Sequence, residues 1–398
     1  MDELEKLQSL YGRGVQLHEQ GEFEAAIDCY QTIVHRFPDA DLAWYNLGLA
    51  HYELDRPDEA AKAFLAAARV NGEDGDYWYN AGLALKKAGQ YEAAAGCYDR
   101  AMKLAPDDAD IAYNLGCCRQ AAGDLDRAVA AYEQALAIDL NHAPALGNLA
   151  YCMHRLGEYE QAASLYGRLV ELRPGDEAAR FMVAVLNGAG PSRPPDQYVA
   201  GLFDAYATTF ETDLVGKLSY RVPELLANLV REEVGLTGPD FVLFDLGCGT
   251  GLSGQVFVPW KKELIGVDLS EGMVEKARQK GCYDRLVVGD VLAFLETFPD
   301  QADLVVAADL LTYLGDLDTL FSLTARRTRP GGWFCFSTEH GEVTDWALQA
   351  SGRYVHAPDY VEKTASRAGW KLLARTEEKI RKEQDTWVKG DLFLLVHE

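Results

Sequence analysis

The sequence predicts an α + α/β chain: an all-α solenoid of helix pairs in the first half and a doubly wound α/β domain in the second. Three observations carry this expectation. Small, aromatic and turn residues recur every 34 positions from Leu7 to Asp176. The segment from Gly188 to Pro195 holds two glycines and three prolines in eight residues. Beyond it, short apolar runs alternate with helical periodicity, the signature of a parallel sheet covered on both faces. At 398 residues the chain also exceeds the roughly 100–200 residues of one compact domain. The expected division is an array over 1–188, a linker over 189–195 and an α/β domain over 196–398.

Composition narrows the function classes. Sixty-two acids against 38 Lys plus Arg leave a formal charge of -24. Such a surface is repelled by nucleic-acid phosphates and anionic lipid heads, so general nucleic-acid or membrane binding is not expected. Hydrophobic residues at 48% and charged residues at 25% are close to the globular average and enough for a packed core, so intrinsic disorder is not indicated. The start, Met-Asp-Glu-Leu-Glu-Lys, is acidic where a leader would be basic, and no uncharged apolar run nears the roughly 20 residues of a membrane span. A cytoplasmic protein is expected. Eight cysteines show no CxxC pair and no Cys/His grouping at zinc spacing, so reduced thiols and no metal site are expected.

The repeat is read in several registers at once. Gly14, Gly48, Gly82 and Gly116, followed by Ala150, form a small-residue row. Ala26, Ala60, Ala94, Ala128 and Ala162 form a second, and Tyr30, Phe64, Tyr98, Tyr132 and Tyr166 an aromatic one. Gly21, Asp55, Gly89, Gly123 and Gly157 fall at the turn between the two helices of each period. Small residues let antiparallel helices approach closely, and the aromatic plugs the gap to the next pair. These rows resemble the tetratricopeptide repeat, in five copies over 7–176, with 177–187 (EAARFMVAVLN) as the capping helix such arrays need. One position of the first helix reads Asn46, Asn80, Asn114, Asn148. On a concave face these amides can hydrogen-bond an extended peptide, a candidate groove for a protein or peptide partner. Asn is also simply common at that place in such repeats. The mixed set Glu53, Lys87, Ala121 and Arg155 argues against a clamp for a C-terminal carboxylate.

In the second half the first apolar run, 241–246, leads into Phe244-Asp245-Leu246-Gly247-Cys248-Gly249-Thr250-Gly251 and then a helix. Glycines after a strand let backbone approach a ligand without side chains in the way. The spacing is GxGxG, and Asp245 beside the loop would repel a pyrophosphate but welcome an ammonium or sulfonium. Asp268 ends the second strand, where an acid can accept both ribose hydroxyls. Asp290 ends the third, where a carboxylate can take adenine amino protons. Three acids at consecutive strand ends point to a nucleoside with a cationic tail.

These residues resemble the class I S-adenosylmethionine-dependent methyltransferases, Rossmann-like enzymes, over roughly Phe241 to Ser337. The resemblance implies S-adenosylmethionine as cofactor. It implies that Asp245, Gly247, Cys248, Gly249 and Gly251 hold the methionine portion, Asp268 the ribose, and Asp290 with Val291 the adenine. Leu269 and Met273 would pack on the adenine, and Asp309 with Leu310 would lie near the transferable methyl. The flanks 198–224 and 351–360 resemble predicted methyltransferases that carry an N-terminal tetratricopeptide array.

Methyl transfer is an in-line displacement, so the protein supplies alignment and exclusion of water. A general base is needed for an amine or hydroxyl acceptor and not for a carboxylate or thiolate. The segment Asp309-Leu310-Leu311-Thr312 lacks the Pro-Pro-aromatic run that holds a planar amide, which disfavours base or glutamine methylation. Phe203–Phe210, with Tyr206, is a candidate lid. Candidate acceptor residues are Tyr220, Arg221, Glu339, Arg353 and Tyr354. Arg353 and Arg221 would neutralise an anion, and His340 or His356, with ordinary values near 6.5, would take a proton. Arg326, Arg327 and Arg329 are assigned to a helix C-terminus, where cations offset the dipole. The expected function is methyl transfer to an acceptor recruited by the array. The alternatives are a small carboxylate or hydroxyl acceptor with the array used for assembly or regulation, and a non-catalytic scaffold.

Overall fold

In the computed structural model, residues 3–206, 211, 216, 218–383 and 386–398 are described. They fall into two compact units, Met1–Pro174 and Gly175–Glu398.

The first unit is helical from α1 (Glu3–Glu19) to α10 (Tyr159–Leu172), each helix packing on the one before and the one after it. Within it lie α2 (Phe23–Arg36), α3 (Asp41–Glu53), α4 (Pro57–Val70), α5 (Gly75–Lys87), α6 (Tyr91–Leu104), α7 (Ala109–Ala121), α8 (Leu125–Ile138) and α9 (Ala143–Arg155). The 34-residue period has a steric cause. A Cβ added to Gly48 or Gly116 would stand 2.6 or 2.5 Å from the ring of Phe64 or Tyr132, both essentially fully buried. The aromatic of the second helix thus occupies the space that the glycine of the first leaves empty. Each such ring contributes about 1.5–3 kcal/mol through burial. Asp74, Asp108 and His142, again 34 apart, cap the N-termini of α5, α7 and α9 by accepting backbone N–H bonds.

The second unit opens with α11 (Glu177–Leu186), α12 (Asp196–Tyr206) and α13 (Val222–Val234). Five parallel strands follow: β1 (Phe241–Leu246), β2 (Lys261–Asp268), β3 (Arg285–Val288), β4 (Ala302–Ala307) and β5 (Thr328–His340), in spatial order β3-β2-β1-β4-β5. The connecting helices are α14 (Leu252–Phe257), α15 (Glu271–Lys280), α16 (Val291–Thr297) and α17 (Asp318–Arg327). Short β6 (Trp346–Leu348) and β7 (Tyr354–His356) extend the end of β5, and α18 (Pro358–Arg367) leads to a long hairpin. Its strands are β8 (Trp370–Glu383) and β9 (Thr386–His397), and β9 runs antiparallel to β5. Alternate residues of the strands feed two cores, Phe244, Val305 and Phe334 on one face and Leu243, Leu304 and Cys335 on the other. The strand order reverses between β1 and β4, and a crevice at such a switch point is where doubly wound sheets bind ligands.

The sequence places the boundary in the Gly/Pro-rich segment, whereas the units divide at Pro174. The reason is that residues which stop a helix do not stop packing. Gly190 lies against Leu348, Tyr354 donates its hydroxyl to Pro191 O (2.5 Å), and Gly315 N donates to Ser192 O (2.8 Å). The helix expected to cap the array, α11, sets Phe181 against Tyr198 of α12, with ring centroids 5.0 Å apart. Among the described residues no helix is long and apolar enough to cross a membrane, and all eight cysteines are unbridged.

Candidate active site

A cleft of about 950 Å3, measured to its open mouth, lies at the carboxyl ends of β1, β2 and β4. Leaving β1, the chain reverses through the glycine loop, where Gly247 N and Cys248 N both donate to Val267 O (2.9 and 3.0 Å). Gly249 lines the cleft with φ at +52°, and a Cβ there would meet no atom within 4 Å. That empty position is a cradle a ligand can fill. Gly249 N donates to one oxygen of Asp268 (2.8 Å) and Ser270 N to the other (2.9 Å), so the carboxylate is aimed by backbone. Burial pushes its pKa up against these two hydrogen bonds.

Asp245 stands behind the loop and is absent from the cleft wall. It is 2% exposed. Tyr283 donates its hydroxyl to Asp245 Oδ2 (2.6 Å) and accepts from Gly254 N (3.1 Å). Asp245 Oδ1 has no partner among the described residues, and burial pushes the carboxyl up to about 7. The Tyr283 ring passes where Cβ atoms on Gly254 and Gly266 would stand 2.4 and 2.8 Å from it. These two glycines outside the loop, with Gly251 inside it (3.1 Å), make room for this ring.

Leu269, Asp290 and Val291 line the cleft, and Cys248 does so from the loop. Met273 is 1% exposed in the core beneath α15, away from the cleft wall. Asp290 caps α16 through Ala293 N (2.9 Å) and forms an ion pair with Arg193. Val199 and Phe203 of α12 form one wall. The helix is pinned where Asp204 Oδ1 accepts from Ser270 Oγ (2.5 Å) and Gly272 N (3.1 Å). The side chain of Tyr206 and residues 207–210 of the expected lid lie outside the described residues.

Beyond β4 the cleft ends at Asp309, Leu310, Tyr313 and Tyr220. Asp309 adopts φ of 60°, a left-handed conformation unusual for a residue with a side chain. It is held there by a two-point ion pair with Arg353 Nη2 (2.9 and 3.0 Å). Arg353 also donates to Tyr313 OH (2.8 Å) and to Glu339 Oε1 (2.5 Å), which accepts from Arg381 as well (2.8 Å). Two guanidiniums and two carboxylates thus neutralise one another in a buried network. Burial pushes the Tyr220 and Tyr313 phenols up, so both stay protonated donors.

The family described as Methyltransferase domain matches residues 244–336, and Tetratricopeptide repeat families match 11–77, 73–141 and 119–186. A malonyl-[acyl-carrier protein] O-methyltransferase of Methylococcus capsulatus is 31% identical over 204 residues, covering 50% of this chain and 72% of that protein. The chain belongs to the class I S-adenosylmethionine-dependent methyltransferases. The corresponding Yersinia pestis enzyme is 32% identical over 149 residues, 37% of this chain and 52% of its own length. The chain thus spans about half the length of the first such relatives it matches. A solved magnesium protoporphyrin IX methyltransferase from Synechocystis PCC 6803 is 16% identical, covers 44% of this chain and 82% of its own, and has a TM-score of 0.35.

The cofactor of this methyltransferase is S-adenosylmethionine, and the cleft fits it. On its wall Asp196 and Asp290 share the one cation of Arg193, Asp309 is paired with Arg353 behind the wall, and Asp268 is held by backbone N–H groups, so the wall stays net acidic. That balance suits a cationic sulfonium and opposes a polyphosphate. When bound, the cofactor supplies the methyl group. Asp268 is placed to accept ribose hydroxyls, and Gly249 leaves the room.

Several expected acceptor residues do not reach the cleft. His356 is fully buried on β7 with Nε2 facing the carbonyls of Leu314 and Gly315 (2.9 and 3.1 Å), and burial lowers it to about 4. His340 pairs through Nδ1 with Asp391 (2.6 Å) at the sheet end. Arg221 is exposed at the head of α13, and the Tyr354 hydroxyl is used on Pro191. Among the described residues no histidine or lysine lines the cleft. The sequence reading overlooked Tyr313, Tyr283 and Arg193.

Proposed function

We propose that this methyltransferase esterifies a carboxylate on an acceptor that a protein or peptide partner presents, with the repeat unit as the recruiting half. The single observation behind the reading is the end of the cleft beyond β4. Two neutral phenols line it, and among the described residues no histidine or lysine is there to take a proton. A carboxylate needs no base.

The electrostatics favour the same acceptor. A sulfonium and a carboxylate react to two neutral groups, so a cleft that excludes water helps rather than hinders. Arg353 has its charge compensated by Asp309 and Glu339, so it does not sit on the nucleophile and damp it. Because it donates to the Tyr313 oxygen, it leaves that hydroxyl's own proton for the acceptor. Tyr220 and Tyr313 would then hold one carboxylate oxygen and leave the other free for the methyl group that bound S-adenosylmethionine would supply. The relatives named for a malonyl group on an acyl-carrier protein fit a protein-borne carboxylate.

The test is chemical. Full-length enzyme is incubated with methyl-labelled cofactor and a cell extract, and the product is treated with mild alkali. A methyl ester releases its label as volatile methanol, whereas an alkali-stable product sinks the reading. Tyr313→Phe should raise the acceptor KM about tenfold, one charge-assisted bond, with cofactor affinity unchanged.

A further inference from the structure

We infer that Arg193, from the segment just ahead of the catalytic core, is a binding residue for the adenine of S-adenosylmethionine. Its guanidinium holds Asp290 ready for the exocyclic amine and forms a wall of that subsite. No spacing rule of a glycine loop or strand end leads to this residue.

Arg193 lines the cleft together with Pro194, Leu269, Asp290 and Val291. A carboxylate offers about four lone-pair positions. On Asp290, Ala293 N takes one on Oδ1 and Arg193 Nη2 takes one on Oδ2, which leaves acceptor positions for an amino group. Without the arginine, Asp290 would be steered by the helix cap alone. With it, both oxygens are fixed, and the group that must accept from adenine is oriented before the ligand arrives.

Arg193 is itself anchored. The same Nη2 donates to Asp196 (2.7 Å) at the start of α12. The preceding backbone is tied down by the Tyr354 hydroxyl on Pro191 O and by Gly315 N on Ser192 O. Pro194 and Pro195 restrict the chain that follows. A planar guanidinium stacks on aromatic faces in a way an ammonium does not, so a flat purine beside it is the matching ligand.

The test uses the full-length protein and calorimetric titration with two ligands, S-adenosylhomocysteine and S-inosylhomocysteine, in which an oxo group replaces the 6-amino group. Wild type should prefer the adenine ligand. Arg193→Ala should weaken S-adenosylhomocysteine about tenfold and bring the ratio of the two affinities close to one. Arg193→Gln, which keeps the length without the charge, gives the same two readings should the alanine variant melt early. Affinity within twofold of wild type overturns the inference. So does an equal loss for both ligands, which marks a purely structural residue, or a wild type indifferent to the amino group.

Discussion

A Cβ added to Gly14, Gly48, Gly82 or Gly116 of the repeat unit would lie 2.5–2.8 Å from an aromatic ring, whereas one added to Gly249 of the catalytic unit would meet nothing within 4 Å. These four repeat glycines are helical and exist because protein fills the space beside them. Gly249 has φ of +52° and exists so that protein does not fill it. One residue type thus answers to packing in the first unit and to a ligand in the second. The turn glycines Gly21, Gly89, Gly123 and Gly157 are also left-handed with nothing within 4 Å, so open space alone does not mark a ligand; what sets Gly249 apart is that its open space is the cleft.

The largest expected effect crosses these two cases. Gly249→Val forces a branched side chain into a left-handed conformation and into the cradle. Cofactor affinity should fall about 1,000-fold, roughly 4 kcal/mol, while the repeat unit melts as before. Gly116→Val overpacks the Tyr132 ring and should cost about 2–3 kcal/mol in the repeat unit with cofactor affinity unchanged. Titration and peptide-resolved hydrogen exchange read both. If Gly116→Val weakens the cofactor, or Gly249→Val leaves it alone, the distinction fails.

Titration sharpens the contrast. In the repeat unit the buried phenols and thiols are pushed away from neutrality, Tyr30 to about 12 and Cys97 to about 11. The catalytic unit buries groups that shift in opposite senses, Asp245 and His356 among them. Asp245 is raised from 3.8 to about 7, chiefly by burial, so the folded state binds its proton more tightly than the unfolded chain does. That contribution to stability is present below pH 4 and is lost as pH rises to 7, about 4 kcal/mol in all. His356 is lowered from 6.5 to about 4, so its contribution is present above pH 6.5 and is lost as pH falls to 4. The two slopes oppose each other. Asp245→Asn should remove this carboxyl's slope and leave those of His356 and of Asp268, which burial also raises, so the variant-minus-wild-type difference in unfolding free energy should climb by several kcal/mol from pH 4 to 7. A difference that stays flat with pH removes Asp245 from this role.

The same contrast explains what could be read from the chain. The repeats were legible because one contact, glycine under aromatic, recurs at a fixed separation. The loop, Asp268 and Asp290 were legible because each closes a strand, where chain order and spatial order coincide. Arg353 reaches Asp309 across 44 residues and Tyr283 reaches Asp245 across 38, and no periodicity announces such pairs. His340 and His356 fitted a proton-transfer role by chemistry alone. Their partners Asp391 and Leu314, known only from the fold, give them other work. The hairpin β8–β9 went unread because Arg375–Glu383 is almost wholly charged or polar, and its pairing to β5 comes from the opposite strand, where Leu392–Leu395 are buried.

The smallest effect concerns the asparagine row, where packing and binding meet in one side chain. Asn46, Asn80 and Asn114 each donate Nδ2 to the tyrosine of the preceding repeat, Tyr11, Tyr45 and Tyr79, at 2.7, 3.2 and 3.4 Å. Asn148 Nδ2 lies 3.1 Å from Tyr132 OH. The amides therefore tie repeat to repeat, and the second Nδ2 hydrogen of Asn80 and Asn114 goes to Asp76 O and Asp110 O (2.8 and 2.9 Å), so what those two leave for a peptide is the carbonyl oxygen, which on Asn114 already accepts from Lys86 (2.7 Å). Asn80→Ala should cost the repeat unit about 1 kcal/mol, and a double-mutant cycle with Tyr45→Phe should show coupling of about 0.5–1 kcal/mol. Coupling near zero would return the row to a solvent-facing role with both donor and acceptor available to a partner. Coupling as expected confines Asn80 to accepting a backbone N–H group of the partner, a narrower demand than the full amide ladder makes.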